Sequence, residues 1–214
     1  MTLDIKICGL STPETVAAAL DGGASHVGFI YFPKSPRNVT PALAGELRTP
    51  AVGRAQAVAV TVDATDDFLR EIVTAMRPDM LQLHGKETPE RVAQVKAMFG
   101  LPVMKALSVS TADDLEPAKT YASVADRLLL DAKAPKGSEL PGGNGVSFDW
   151  TLLSRLDSEI DYMLSGGLNA ANIGEALFIA NPPGIDISSG VESAPGIKDV
   201  ALISAFFKAA RNGR

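Results

Sequence analysis

The feature that most constrains this chain is a repeated alternation of short apolar segments with longer helical ones. Eight apolar segments begin at Leu3, His26, Gln56, Asp79, Pro102, Asp126, Asp161 and Gly184. They recur at spacings of about 25 residues, which is typical of parallel βα units. Eight such units favour closure into a barrel. The sequence therefore predicts an α/β protein folded as a (β/α)8 TIM barrel, with residues 1–214 forming one domain.

An open, doubly wound sheet is the alternative to the barrel. It is disfavoured because no G-x-G-x-x-G turn follows the first strand. Helix starts are marked by Thr12-Pro13, Thr40-Pro41 and Thr88-Pro89, where a threonine cap precedes proline in the first turn. At the first of these, Ser11 with Glu14 offers a competing capping box.

Three later segments carry expectations that depend on weaker signals. Residues 111–122 are predicted to form one helix, and a short helical piece is predicted around Phe148-Asp149-Trp150. The last helix is predicted to run from Ile197 to Arg211.

Composition excludes several classes of function. The formal net charge is −5 and no Lys/Arg run stands out, so nucleic acid is not an expected partner. The beginning of the chain lacks a signal pattern, and no apolar run reaches membrane length. A single cysteine fits a reducing compartment. We therefore expect a cytoplasmic protein without a membrane partner.

Two strand ends run into small residues and then into a helix start. The first is Leu164 to Asn169, which contains Gly166 and Gly167, and the second is Asp186 to Gly190. Such turns can be purely geometric, but two in succession at the end of an α/β chain are typical of a barrel phosphate site. The candidate phosphate-binding residues are Gly166, Gly167, Ser188, Ser189 and Gly190.

Cys8 and Asp131 are the candidate catalytic residues. Each ends an apolar strand, and reacting groups of barrels lie at the carboxyl ends of strands. Cys8 could equally be a small buried apolar residue, and Asp131 could cap a loop. Strands one and six lie nearly opposite each other in an eight-stranded barrel, so the pair could act as base and acid on one small substrate.

Arg37, His84 and Asp186 are the candidate substrate-binding residues. Arg37 could hold a substrate carboxylate or be an ordinary surface arginine. His84 could contact the ligand or be a satisfied histidine at the barrel mouth, and Asp186 could bind a sugar hydroxyl or cap Gly190. One cysteine and two histidines are too few for an obvious zinc site, so no metal is predicted.

The motifs, taken in order, resemble those of the phosphoribosylanthranilate isomerase family. They are Lys6-Ile7-Cys8-Gly9-Leu10, Pro33-Lys34-Ser35-Pro36-Arg37, Gln82-Leu83-His84-Gly85, Leu130-Asp131, Phe148-Asp149-Trp150, Leu164-Ser165-Gly166-Gly167-Leu168 and Asp186-Ile187-Ser188-Ser189-Gly190-Val191-Glu192. The resemblance implies an Amadori rearrangement of N-(5-phosphoribosyl)anthranilate in tryptophan biosynthesis. It implies that Cys8 is the general base, Asp131 the general acid and Arg37 the holder of the anthranilate carboxylate.

The same resemblance implies a phosphorylated small-molecule substrate. A positioned acid and base suffice for this rearrangement, so no cofactor is expected, and the assembly is expected to be a monomer or a homodimer. Two other functions stay open. A related sugar-phosphate isomerase of histidine biosynthesis would be expected to use two aspartates, whereas strand one here ends in Cys8. The second open function is that of a barrel that binds a phosphorylated metabolite without catalysis.

Overall fold

Eight parallel strands close into a barrel in sequence order, with the last strand pairing with the first. A computed structural model describes residues 3–135, 137–138, 140 and 142–213. The barrel strands are β1 Asp4–Cys8, β2 His26–Tyr31, β3 Gln56–Thr61, β4 Met80–Leu83, β5 Val103–Val109, β6 Arg127–Ala132, β7 Tyr162–Leu164 and β8 Gly184–Ile187. The predicted (β/α)8 barrel is confirmed, and the open sheet is excluded.

Helices lie outside the strands and follow them along the chain. The α-helices are α1 Pro13–Gly22, α2 Pro41–Leu47, α3 Asp66–Met76, α4 Pro89–Phe99, α5 Ala118–Ala122, α6 Ile173–Ala180 and α7 Val200–Asn212. No helix among the described residues is long and apolar enough to cross a membrane.

The Thr-Pro starts are confirmed as helix caps. The side chains of Thr12, Thr40 and Thr88 each accept a hydrogen bond from a backbone N–H in the first turn. Proline follows each threonine, where its missing N–H removes no helical hydrogen bond. At α1 the cap is Thr12, so the competing capping box from Ser11 is not used.

The single helix predicted for residues 111–122 is wrong. The structure has a 3₁₀ helix over Ala112–Leu115 and then the short helix α5. Pro117 lies between them and has no N–H to continue the helical ladder. The helical piece after β6 begins at Trp150 and runs to Arg155 as a 3₁₀ helix, with Asp149 as its cap.

The predicted start of the last helix at Ile197 is also wrong. Ile197–Lys198 form strand β10, which pairs antiparallel with β9, Glu192–Ala194. Gly196 between them has a φ of 83°, which permits the tight turn. Helix α7 begins afterwards, with Asp199 accepting hydrogen bonds from the N–H groups of Ala201 and Leu202.

Side chains alternate between the barrel interior and the layer under the helices. Successive residues of a strand point to opposite faces, so Lys6 and Cys8 share the interior face of β1. The interior apolar cluster that contains Cys8 includes Val58, Val60 and Leu129. The pocket lined by Cys8, Asp131 and Asp186 opens at the carboxyl ends of the strands, and this end holds the candidate site.

Candidate active site

One pocket at the carboxyl end of the barrel brings together nearly all the candidate residues. Its lining includes Cys8, Arg37, His84, Asp131, Gly166, Gly167, Asp186, Ser188 and Ser189. Gly190 is not part of this lining. A Cβ on Gly190 would overlap the carbonyl oxygen of Leu168, so the close packing of these two turns requires glycine there.

Cys8 is buried in the pocket floor beside a buried lysine. The Lys6 Nζ atom lies 2.9 Å from Oδ1 of Asp186, which is the residue paired with Lys6 across strands β1 and β8. Asp186 thus binds Lys6 rather than capping Gly190. Lys6 is 0% exposed, so its charge is balanced inside the protein rather than by water.

Charge and burial act in opposite directions on these groups. Burial raises the pKa of the Cys8 thiol, and the Lys6 ammonium only partly offsets this, so the pKa of the thiol stays above its usual value. Burial disfavours the charged form of Lys6, but Asp186 and Cys8 together outweigh this and hold the pKa of Lys6 above its usual value. The ammonium form of the buried lysine is therefore the favoured one.

Asp131 lies across the pocket in contact with His84. The distance from His84 Nε2 to Asp131 Oδ2 is 3.3 Å. The other imidazole nitrogen, Nδ1, is 2.9 Å from Nε2 of Gln82, a buried residue of β4. His84 therefore contacts a catalytic candidate, and Gln82 fixes the orientation of its ring.

The loop after β6 closes over this pair. A Cβ on Gly142 would overlap Asp131 Oδ2 and would come within 2.8 Å of His84 Nε2. Only a residue without a side chain lets the loop approach the carboxylate so closely.

Arg37 is held by a buried carboxylate. Its Nε and Nη2 atoms donate to Oε1 and Oε2 of Glu192, at 2.7 and 2.8 Å. Lys198 Nζ lies 2.6 Å from Oε1 of the same Glu192 and donates to the Ser188 carbonyl oxygen at 2.9 Å. The β9–β10 hairpin thus connects Arg37 to the turn that follows β8.

The two Gly/Ser turns present backbone N–H groups to the pocket. Gly166 and Gly167 have φ values of 94° and 63°, in the left-handed region that favours glycine. The N–H groups of Gly166, Gly167 and Ser188 have no acceptor among the described residues. Such unpaired N–H groups at the start of helical segments can bind an oxyanion.

Sequence reasoning missed four polar residues of the site: Lys6, Gln82, Glu192 and Lys198. Lys6 and Gln82 each stand two residues before a candidate residue and so share its strand face, which is a signal the sequence contains. Lys198 lies in the segment that was predicted as the start of the last helix, and Glu192 ends the Asp186–Glu192 motif without any role assigned to it from the sequence.

Comparison with known proteins decides the family. The sequence model of N-(5′-phosphoribosyl)anthranilate (PRA) isomerase matches residues 5–209. The N-(5′-phosphoribosyl)anthranilate isomerase of Mesorhizobium japonicum is 71% identical over 214 residues, covering 100% of this chain and 98% of that protein. The chain belongs to the N-(5′-phosphoribosyl)anthranilate isomerase family.

Solved structures of the PRA isomerase family share the barrel. The crystal structure from Thermotoga maritima is 33% identical with a TM-score of 0.88, covering 99% of this chain and 100% of that one. The crystal structure of monomers generated from this dimeric T. maritima enzyme is 31% identical with a TM-score of 0.81, and it also covers 99% of this chain and 100% of that one. A PRA isomerase in complex with reduced 1-(o-carboxyphenylamino)-1-deoxyribulose 5-phosphate is 30% identical with a TM-score of 0.83, again covering 99% and 100%.

Proposed function

We propose that this chain catalyses the Amadori rearrangement of N-(5′-phosphoribosyl)anthranilate in tryptophan biosynthesis, with Cys8 as general base and Asp131 as general acid. The observation that carries the proposal is the pocket itself. A thiol and a carboxyl face one cavity from strands β1 and β6, beside two turns with open backbone N–H groups. The product is 1-(2-carboxyphenylamino)-1-deoxyribulose 5-phosphate.

The first step opens the ribose ring. Asp131, in its protonated form, gives its proton to the furanose ring oxygen as the bond from that oxygen to C1 breaks. The lone pair of the anthranilate nitrogen forms the C1=N bond, so the intermediate is a protonated Schiff base. Protonation makes the leaving oxygen a neutral hydroxyl, which lowers the barrier.

The second step removes a proton from C2. The positive Schiff base makes this C–H bond acidic, and the Cys8 thiolate takes the proton. The electron pair of the bond forms C1=C2 and neutralises the nitrogen. The resulting enol becomes the ketone product when the C2 hydroxyl loses its proton and C1 gains one.

Binding groups orient the substrate between acid and base. The Nη1 atom of Arg37 has no acceptor among the described residues, and it is the edge of the guanidinium left open for the anthranilate carboxylate. The phosphate binds to the backbone N–H groups of the two Gly/Ser turns. Positioning of this kind can supply several kcal/mol of the barrier reduction, in the range of about 7–11 for ideal cases.

His84 assists the acid in this proposal. Its Nε2 atom faces the Asp131 carboxyl, and its Nδ1 atom is occupied by Gln82. The ring therefore holds Asp131 in one rotamer during product release and substrate binding. His84 also lines the pocket, so the substrate contact that the sequence suggests stays a prediction beside this role.

The proposed site needs only one protomer. All of its residues belong to a single chain, so either a monomer or a homodimer would be competent. Turnover per protomer that is constant across a dilution series would support this proposal, and loss of turnover on dilution would contradict it. A thiol that acts as a base must stay reduced, which fits the cytoplasm.

The decisive experiment follows the anthranilate fluorescence of the substrate with purified protein. We expect Cys8→Ala and Asp131→Asn each to lower kcat by about 10²–10⁴. Circular dichroism and a binding titration with the reduced product analogue provide the fold and binding controls. Near-normal kcat in either folded variant would contradict the role of that residue.

A further inference from the structure

Lys6 is a fully buried charged residue to which the mechanism above assigns no role. We propose that Lys6 is a positioning residue that favours the thiolate form of Cys8 over what burial alone would allow, with Asp186 as the buried counter-ion that keeps the lysine charged. This inference rests on the proposed function, in which Cys8 is the base. It adds a residue that acts through Cys8 and does not itself contact the substrate.

Geometry places the ammonium group and the thiol in the same small space. Both side chains leave the interior face of β1, two residues apart, and Cys8 pairs with Gly28 across the β1–β2 register. A Cβ built on Gly28 would lie 3.1 Å from Cys8 Sγ, from Lys6 Cε and from Lys6 Nζ. Because Gly28 has no side chain, the Lys6 ammonium and the Cys8 thiol both lie next to the space that a Cβ would occupy there.

The thiol has little else to stabilise a negative charge. Val58, Val60 and Leu129 pack in the same interior cluster as Cys8, and Cys8 itself is 5% exposed. A thiolate in such apolar surroundings is strongly disfavoured unless a cation compensates the lost hydration. The nearest cation on the strand is Lys6.

Other charged groups face Cys8 from neighbouring elements and determine the sign of each expected effect. They are Lys6 from β1, Asp186 from β8, Lys198 from β10, Arg37 from the loop after β2, and Asp131 and His84 from across the pocket. Lys6 and Lys198 favour the thiolate, whereas Asp186 opposes it. Asp186 has two opposite effects on the thiol, because its carboxylate opposes the thiolate and also keeps Lys6 charged, so substitution of Lys6 is the change with a defined sign.

The Lys6–Asp186 pair also fits both protonation states of the base. Before the transfer, Cys8 is a thiolate beside the cation. After it takes the C2 proton, Cys8 is a neutral thiol, and Lys6 remains balanced by Asp186 at 2.9 Å. The buried lysine is therefore never left without a counter-charge during the cycle.

The test uses the fact that the chain has only one cysteine. Thiolate absorbance at 240 nm against pH then reports Cys8 alone in the substrate-free enzyme. We expect Lys6→Met to move the titration midpoint up by about one pH unit or more, which is about tenfold less thiolate below the midpoint. We expect Lys6→Gln, which also removes the charge, to move it up as well.

Lys105→Met is the matched control. Lys105 is 2% exposed and its Nζ lies 2.8 Å from Oε2 of Glu87, so it is another buried lysine–carboxylate pair in the barrel. Lys105 faces other groups than Cys8, so its removal should leave the thiol titration unchanged. An equal shift in this control would show a general loss of packing and would overturn the inference.

The two proposals fail in different ways. Turnover retained by Cys8→Ala removes the base assignment, whatever the titrations show. An inactive Cys8→Ala together with an unmoved midpoint in Lys6→Met overturns only the role of Lys6. If Lys6→Met does not fold, Lys6→Gln decides in its place, because a midpoint that stays or falls in that variant contradicts the proposal.

Discussion

At the scale of single residues, this barrel depends on charges that are buried in pairs and so act at close range. Arg37 and Glu192 are both almost fully buried and share two hydrogen bonds. Burial opposes the charged form of Glu192, but Arg37 and Lys198 outweigh it and hold the pKa of this carboxyl below its usual value. Arg37 therefore has a fixed position before any substrate arrives.

Substitution of this pair should act on binding. We expect Arg37→Ala to raise KM strongly and Glu192→Gln to raise it about tenfold, since a hydrogen bond to a charged group contributes about 1.5–3 kcal/mol. Steady-state kinetics with both variants measures this. An unchanged KM in Arg37→Ala would remove Arg37 from the substrate site.

His26, at the opposite end of the barrel, should make stability sensitive to acid. Burial lowers the pKa of His26 to about 4 from 6.5. The unfolded chain then binds a proton between these values while the folded chain does not, so stability falls as pH drops from about 6.5 to about 4. The loss at this residue is up to roughly 3 kcal/mol.

Urea unfolding at pH 7 and at pH 4.5 should show this effect as a smaller difference in His26→Gln than in the unmodified chain. The carboxylates contribute equally to both proteins, so the comparison isolates the histidine. Equal acid sensitivity in the two proteins would contradict the assignment.

Residues that end a strand could be chosen from the sequence, because parallel strands bring their carboxyl ends together. Cys8 and Asp131 were found in this way, and both line the pocket. The partners of Arg37 and Lys6 could not be found. Asp186 is separated from Lys6 by 180 residues, and only the β1–β8 register places them side by side.

At the scale of elements, the loop between β6 and β7 determines access to Asp131. Gly142 of this loop lies against the carboxyl group, and its φ is outside the left-handed region, so alanine is acceptable to the backbone. We expect Gly142→Ala to lower kcat by tenfold or more, about 1.4 kcal/mol in barrier height, with little change in stability.

Gly137→Ala is the control on the same loop. Gly137 has a φ of 87°, and no atom of the described residues lies within 4 Å of where its Cβ would stand, so its substitution strains the loop without touching Asp131. Comparable kcat losses in the two variants would mean that loop conformation, rather than contact with the acid, causes the effect.

The sequence predicted elements well where local chemistry determines them. Thr-Pro pairs begin three helices because the cap and the missing N–H act within one turn. It failed at the β9–β10 hairpin, where Ile197 has the apolar character of a helix residue but pairs with Ala194. The pairing depends on the tertiary position of Glu192 and Lys198, which the local pattern does not contain.

At the scale of the whole molecule, the carboxyl end of the barrel holds the pocket, whereas the amino end holds ion pairs that stabilise the fold. At the amino end, Arg127 of β6 donates to Asp4 of β1 and to Asp161, each at 2.7 Å, and so bridges the barrel. We expect Arg127→Met to lower the free energy of unfolding by about 1–2 kcal/mol while kcat and KM stay unchanged. Denaturant titration and kinetics together check this, and a changed kcat would contradict the separation.

The pairing of β8 with β1 has a consequence for the moment at which activity arises. Lys6 and Asp186 are separated by 180 residues, and the Ser188 hydroxyl donates to the Cys8 carbonyl oxygen across the same separation of 180 residues. Both contacts depend on the pairing of β8 with β1. A folding intermediate in which β8 is not yet docked therefore lacks the buried ion pair beside Cys8, and we expect the complete pocket to form only when this last strand closes the barrel.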